Sequence, residues 1–356
     1  MKTLLVMAGG TGGHIYPGLA VAEVLGERGW KIAWMGNPDG MEASLVPARG
    51  YDMAWIRFAA LRGKGVLRKL LLPANLLRAF WQAIGHIRRL EPDVVLGMGG
   101  YVSFPGGMMA VALGRPLVLH EQNSVAGLAN RVLAGVADEV LSGFPEVLSK
   151  ARWVGNPVRR EIAAVAPPAE RFAGRTGPLR LLVVGGSLGA RVLNETLPAA
   201  LALLPKGRRP RVVHQAGRQQ IDELRRHYAA AAVDGELLPF IEDMAARYAE
   251  ADVVLCRAGA LTVAELAAAG VASLLVPLPH AVDDHQTGNA RFLADRGAAV
   301  LLPQDELDPA SLAARLEGLD RSQLQDMAEK ARALARADAA EAVADTCEAI
   351  VRNPGQ

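Results

Sequence analysis

A chain of 356 residues is long for one domain and comfortable for two. Apolar residues make up 51%, enough to build real cores, and a formal charge of only +2 gives no global attraction to nucleic acid. Two cysteines, Cys256 and Cys347, exclude a disulfide framework and a cysteine-based zinc cluster, which suits a reducing cytoplasm.

In chain order, Leu4-Leu5-Val6-Met7-Ala8 reads as a buried parallel strand over 3–8, too short for a secretory leader. No later run reaches the ~18 apolar residues of a spanning helix, so a soluble protein is expected. Gly9-Gly10-Thr11-Gly12-Gly13-His14 then turns into a helix predicted over 17–28. Its glycines bare backbone N–H groups, and a helix starting near Tyr16-Pro17 turns its positive end to the same place, which suits phosphate. His14 adds an imidazole, a side chain that titrates near neutral pH and serves as a general base. Its alternative role is to donate to a backbone carbonyl or to a bound diphosphate. The loop is not the G-x-G-x-x-G of a dinucleotide fold. No carboxylate ends the second strand at Ile32-Ala33-Trp34-Met35, because Asp39 comes late, so a nicotinamide-dependent oxidoreductase is disfavoured.

Further strands are predicted at 31–35, 52–57, 93–97, 116–120 and 139–142, with helices at 41–49, 74–90, 104–113 and 124–135 between them. That alternation is the pattern of a parallel sheet wrapped by helices. Between Met53 and Leu90 there is no acidic residue, yet Arg57, Arg62, Lys64, Arg68, Lys69, Arg78, Arg88 and Arg89 fall there. Leu67, Leu70, Leu71, Leu72, Leu76, Leu77, Phe80 and Trp81 are interleaved with them. Such a stretch fits either an ordinary helix with solvated charges or a face for an anionic membrane surface, and the residues alone leave both open.

Around Pro157 the pattern restarts. Residues 164–178, with Pro167-Pro168, Gly174 and Gly177, read as a connection. A strand at 179–184 leads into Gly185-Gly186-Ser187-Leu188-Gly189-Ala190 and another helix, with strands following at 211–214, 236–238, 252–255, 272–276 and 299–301. Domains are therefore expected at 1–160 and 161–336. A final helical stretch, 322–351, is long enough for the end of the chain, 337–356, to pack back on the first. The expected fold class is α/β: two doubly wound Rossmann-like domains facing across a cleft, with ligands at the carboxyl ends of the strands.

Polar clusters recur at those ends. Gly97-Met98-Gly99-Gly100-Tyr101 follows one strand, His120-Glu121-Gln122-Asn123 the next, and the run from Cys256 to Glu265 follows Val253-Val254-Leu255. Each alone is weak: glycines turn chains, His120-Glu121 fits a satisfied buried pair, and Thr262 to Glu265 has the spacing of a helix capping box. Together they mark one end of both sheets. The run Met7-Ala8-Gly9-Gly10-Thr11-Gly12-Gly13-His14 with Pro17-Gly18, the Gly97–Tyr101 and His120–Asn123 runs, Val154-Gly155-Asn156-Pro157-Val158-Arg159, Gly185-Gly186-Ser187 and Arg257–Glu265 resemble the MurG family of glycosyltransferase family 28, in order from about residue 3 to about residue 345.

The resemblance implies a GT-B transferase of inverting type. It would move N-acetylglucosamine from UDP-N-acetylglucosamine to the 4-hydroxyl of the muramoyl sugar of undecaprenyl-diphospho-N-acetylmuramoyl-pentapeptide (lipid I), giving lipid II. Carried over residue by residue, it places donor contacts at Thr11, Gly12, Gly13, Asn123, Arg159 and Ser187. In the second half they fall at Ile241, Ala260, Leu261, Thr262, Val263, Ala264, Glu265 and Gln286. Glu265 would hold the ribose hydroxyls, backbone near Ile241 the uracil edge, Ser187 the diphosphate, and the amides of Asn123 and Gln286 the sugar. Gln286 is chosen because Asn289-Ala290 follows at the expected interval, although the loop from Pro279 to Gln286 departs from the family in length and charge.

Gly10, Gly99, Gly100 and Tyr101 would serve the acceptor diphosphate, with His14 as the base and Glu121 the next candidate. No metal site is implied and no cofactor required, a divalent cation acting at most as a stimulant. In this light the Leu67–Trp81 stretch becomes a membrane-docking face of a peripheral protein on the cytoplasmic side of the bacterial inner membrane. Other cell-wall synthesis proteins are further expected partners, and nucleic acid is not. The rival readings are a UDP-sugar epimerase of the same fold, which needs no lipid, and a non-catalytic sugar-nucleotide sensor.

Overall fold

The computed structural model describes residues 1–58, 66–186, 189–279 and 284–352, with residues 66–71 described by their backbone alone. The chain divides into two compact units, Met1–Arg159 with Arg336–Gln356, and Arg160–Ala335.

The first unit carries β1 (Thr3–Ala8), α1 (Gly12–Glu27), β2 (Lys31–Gly36), α2 (Glu42–Leu45), β3 (Asp52–Trp55), α3 (Val66–Leu90) and β4 (Val94–Gly99). It continues with α4 (Ser103–Ala112), β5 (Leu117–Glu121), α5 (Leu128–Leu133), β6 (Glu139–Ser142) and β7 (Arg152–Trp153). Its seven strands are ordered β3-β2-β1-β4-β5-β6-β7, and every pairing is parallel. Strands covered on both faces have to be apolar throughout. Leu4, Val6 and Ala8 accordingly join the core against α1, while Leu5 and Met7 join the core against α3 and α4 on the opposite face.

The second unit comprises α6 (Arg160–Ala163), α7 (Pro168–Phe172), β8 (Arg180–Val184), α8 (Arg191–Leu203), β9 (Arg211–Gln215), α9 (Ile221–Ala230) and β10 (Glu236–Leu238). There follow α10 (Met244–Glu250), β11 (Val253–Cys256), α11 (Ala260–Ala269), β12 (Ala272–Leu275), α12 (His285–Ala294), β13 (Val300–Leu301), α13 (Pro309–Glu317) and α14 (Arg321–Ala333). The sheet is again parallel, ordered β10-β9-β8-β11-β12-β13. The chain then returns to the first unit as α15 (Ala339–Arg352). Ala340, Val343, Ala344 and Cys347 recur at helical spacing and enter the core beside α1. Arg28 reaches Asp345 at 2.7 Å and the Trp30 indole donates to Glu348 at 3.2 Å.

Several elements differ from the sequence expectation. The first helix starts at Gly12 and not near Tyr16-Pro17, because Thr11 takes the extended cap conformation. Pro17 then stands inside the helix and withholds only the bond that Gly13's carbonyl would receive. Pro73 likewise lies within α3, which begins eight residues before the predicted start at 74. The segment read as a connection, 164–178, contains α7, pinned because the buried Arg171 donates to the carbonyls of Tyr248 and Ala269, each at 3.1 Å. The two-residue β7 carries too short a pattern to stand out, and the long final helix is two, α14 and α15.

Candidate active site

The site of the first unit begins with a slip in the sheet. Along β1 and β4, Met7 pairs with Gly97 but Ala8 pairs with Gly99, so Met98 has no partner on β1. Its carbonyl accepts instead from His14 Nδ1, 3.0 Å away in the first turn of α1. The same Nδ1 lies 2.9 Å from Gln122 Oε1. Both neighbours accept, so Nδ1 bears the proton and a neutral His14 carries its lone pair on Nε2. Gly99 lets the strand pass this close: its φ is +94°, and a Cβ there would stand 2.8 Å from His14 Nδ1.

Behind Gln122 stands a buried histidine. Gln122 Nε2 lies 3.1 Å from His120 Nδ1, and His120 Nε2 lies 2.9 Å from the Gly155 carbonyl. Burial pushes the His120 imidazolium down to about 4, so the ring is neutral at physiological pH, with its proton on Nε2.

Glu121, the other candidate base, is buried and turned into its own loop. Its Oε1 accepts from the Asn123 backbone N–H (2.9 Å) and amide (3.3 Å), and Oε2 accepts from Gly127 N–H (3.2 Å) and the Asn130 amide (2.8 Å). Four donors leave this carboxylate organising the loop that presents Asn123.

Gly10, expected beside the acceptor diphosphate, has its backbone N–H turned to a carboxylate. That N–H donates to Glu42 Oε2 at 3.1 Å, and the other oxygen of this buried carboxylate accepts from Asn37 N–H at 2.9 Å. Gly12 and Gly13 differ, since their N–H groups stand in the first turn of α1, where no helical carbonyl precedes them. Gly100, with φ of +84°, rests against the Gly9 carbonyl, and the half-buried Tyr101 covers Gly10. Burial, and then the charge of Glu42, raise the Tyr101 phenol above its ordinary range. Ser103 ties this loop to the sheet, its hydroxyl within 2.7 Å of the Gly99 carbonyl and 3.0 Å of Met7's. Thr11 is exposed at the cap of α1, and the Arg159 guanidinium lies 5.7 Å above the Tyr16 ring.

In the second unit, Ser187 lies outside the described residues, but the loop before it is held. Gln215 Oε1 accepts from Gly186 N–H at 3.0 Å while its Nε2 donates to the Gly186 carbonyl at 2.9 Å. Ile241 is buried between β10 and α10. Ala260, Leu261, Thr262, Val263, Ala264 and Glu265 form the first turns of α11, whose cap is Gly259. Thr262 therefore sits inside the helix and the capping-box alternative fails. The buried Glu265 accepts from the Tyr248 hydroxyl at 3.3 Å. Gln286, in the first turn of α12, accepts from Leu278 N–H at 3.0 Å, and Asn289 donates to the Ala258 carbonyl at 3.1 Å.

Sequence reasoning missed Glu42, Gln122, Ser103 and Gln215 as organisers. Gln122 stood inside a motif read for its neighbours, and only tertiary pairing distinguishes the other three. Among the described residues, no three His, Cys, Asp or Glu side chains gather as a metal would require. None of the described helices is long and apolar enough to cross a membrane. On α3, Leu77 and Trp81 are exposed at 60% and 72%, while Phe80 packs on Phe104; the side chains at 67–71 lie outside the described residues.

Residues 4–142 match the glycosyltransferase family 28 N-terminal domain, and residues 180–345 its C-terminal domain. The chain is 74% identical over 350 residues to the UDP-N-acetylglucosamine–N-acetylmuramyl-(pentapeptide) pyrophosphoryl-undecaprenol N-acetylglucosamine transferase of Aromatoleum aromaticum, covering 98% of each chain. The crystal structure of Acinetobacter baumannii MurG superposes with a TM-score of 0.85 at 43% identity, over 98% of this chain and 100% of that one. A putative UDP-N-acetylglucosamine 2-epimerase from Listeria monocytogenes reaches a TM-score of 0.64 at 13% identity, over 96% of this chain and 94% of its own, a likeness of fold alone. Two doubly wound parallel-sheet units with these neighbours constitute a GT-B glycosyltransferase fold, and the chain belongs to glycosyltransferase family 28 and, within it, to the MurG family.

Proposed function

We propose that this chain is a hexosyltransferase of peptidoglycan synthesis. It moves N-acetylglucosamine from UDP-N-acetylglucosamine to the 4-hydroxyl of the muramoyl sugar in lipid I, with inversion to the β linkage. The observation that carries this reading is the full-length identity of 74% to a protein named for that transfer.

In the reaction, the acceptor oxygen bonds to the anomeric carbon as the bond from that carbon to UDP breaks. The bonding pair leaves with the diphosphate, and the hydroxyl proton passes to a base. His14 Nε2 is our choice for that proton, because Nδ1 is committed to Met98 and Gln122. Glu121 serves instead through its loop, keeping Asn123 in place for the donor. Thr11, Gly12, Gly13 and Arg159 are assigned to the donor as well, and Gly99, Gly100 and Tyr101 to the acceptor diphosphate.

In the second unit, the negative charge growing on UDP falls to the loop that Gln215 holds, including Ser187. Glu265 takes the ribose, backbone near Ile241 the uracil, Ala260–Ala264 the surrounding wall, and Gln286 the sugar. No resident metal is assigned. The exposed Leu77 and Trp81, with the basic residues around them, favour peripheral docking on an anionic membrane at the cytoplasmic face, where lipid I and other cell-wall enzymes would be met.

The test is transfer of labelled N-acetylglucosamine to a short-chain lipid I analogue. Acceptor-dependent, β-linked product is expected. Equal consumption of the sugar nucleotide without acceptor would overturn the transferase reading in favour of epimerisation or hydrolysis.

A further inference from the structure

A line of hydrogen bonds in the first unit runs from one backbone carbonyl to another through three side chains. Its ends, Met98 O and Gly155 O, can only accept. The Met98 end requires a proton on His14 Nδ1, and the Gly155 end requires one on His120 Nε2. His120 Nδ1 is then an acceptor, and between the two rings only one orientation of the Gln122 amide works: Oε1 towards His14, Nε2 towards His120. Gln122 Nε2 also donates to the His120 carbonyl, at 3.0 Å, which fixes the same orientation a second time. Gln122 and His120 are 1% and 0% exposed, so neither amide nor ring has water as an alternative partner. His14 is partly exposed, and among the described residues its Nε2 makes no hydrogen bond.

We propose that Gln122 is a positioning residue for the transfer. Its amide, oriented by His120 and the Gly155 carbonyl, fixes the ring plane and tautomer of His14, so that Nε2 presents a lone pair to the acceptor hydroxyl. This rests on the reading of His14 as the base. The arrangement works before and after proton transfer, because Nδ1–H is the donor in both the neutral and the cationic ring, and no partner has to turn. Several titratable and charged groups on the surrounding elements are engaged elsewhere. Glu121 is bound within its loop, Glu42 holds Gly10 and Asn37, Tyr101 covers Gly10, and Arg159 lies over Tyr16. Asp345 and Glu348 of α15 engage Arg28 at the far end of α1.

The experiment compares wild type, Gln122→Met, Gln122→Glu and His14→Gln as full-length proteins, by steady-state transfer across pH and by 15N NMR of the imidazoles. In wild type the His14 signal should be that of the Nδ1–H tautomer. Gln122→Met, similar in size but without an acceptor, should lose roughly 10- to 100-fold in kcat with KM for the sugar nucleotide unchanged. Gln122→Glu restores an acceptor, so it should keep more kcat than Gln122→Met while the acid limb of its pH profile moves up by roughly one unit or more.

A wild-type spectrum with the proton on Nε2 overturns the proposal whatever the kinetics, and needs no variant to fold. Wild-type kcat and pH profile in a folded Gln122→Met, with His14→Gln inactive, overturns the positioning role and leaves the base in place. Wild-type activity in His14→Gln overturns the base itself, and with it the catalytic meaning of the line.

Discussion

The two units share a parallel sheet and a glycine loop after their first strand, yet one histidine of each, His14 and His214, stands in opposite surroundings. In the first unit, His14 stands in the opening turn of α1 with one nitrogen bound and the other left to solvent. In the second, His214 of β9 is fully buried, Nε2 lying 3.0 Å from Asn194 Oδ1 and Nδ1 3.1 Å from the Tyr228 hydroxyl. One ring keeps Nε2 without a hydrogen bond among the described residues; the other has both nitrogens engaged and belongs to the scaffold. Where a ring falls relative to the strand end, not the residue type, decides whether it keeps a nitrogen available for the proton transfer proposed for His14.

The sharpest way to break this contrast is His14→Ala. Transfer to a lipid I analogue should fall roughly 10²- to 10⁴-fold in kcat, with the thermal midpoint little changed because the ring is partly exposed. A variant within a few-fold of wild type would leave the first unit without its distinguishing chemistry.

Acid should reveal the buried rings. Burial holds His120 at about 4 and His214 at about 3, below the ~6.5 of a free imidazole. Between those values the unfolded chain binds protons that the native one refuses. Stability is therefore intact above about pH 7 and lost as pH falls below the unfolded value. Going from pH 7 to pH 5 should cost about 2 kcal/mol for each ring. Thermal unfolding at the two pH values reads this directly, and a midpoint that does not move over that interval contradicts the buried, neutral assignment.

Much of the architecture was readable because the buried strands are apolar over their whole length. Leu4–Ala8, Val94–Leu96 and Val253–Leu255 need no partner to be recognised, and α15 shows its stripe at Ala340, Val343, Ala344 and Cys347. The start of α1 was not readable, since glycines and an internal proline argue against helix, and the capping conformation at Thr11 overrides them. At the site, His14 was singled out in the sequence by its chemistry and position. Glu42 was not, because its buried carboxylate acquires meaning only when α2 folds under Gly10, 32 residues away in sequence. Gln122 was hidden differently: its importance lies in which way an amide faces, and that is set by two carbonyls on other segments.

A third test moves the backbone under His14. Gly99→Ala asks an alanine to adopt a φ of +94° and puts a methyl group 2.8 Å from Nδ1. The conformational strain alone should cost about 1–3 kcal/mol of stability, and kcat should fall further than stability explains because the ring is displaced. Gly174→Ala also places alanine at positive φ, but with nothing within 4 Å of the new Cβ, so it carries the strain without the displacement. Equal kcat in the two variants would show that His14 tolerates a shifted strand.

The smallest expected effect concerns the surface. Exposed large apolar residues of the second unit, such as Leu203 on α8 and Leu278 after β12, lie on separate elements, whereas Leu77 and Trp81 of α3 are four residues apart and share a helix face. A lone exposed leucine is ordinary, but adjacent ones beside Arg78 form the kind of surface that enters a headgroup layer. Trp81→Ala should weaken binding to vesicles containing anionic lipid by about 1–2 kcal/mol, the share of an aromatic burial lost to water. Leu203→Ala should leave that binding unchanged. If the two variants sediment with vesicles alike, the exposed pair on α3 is ordinary surface, and the first unit's distinction is confined to the chemistry around His14.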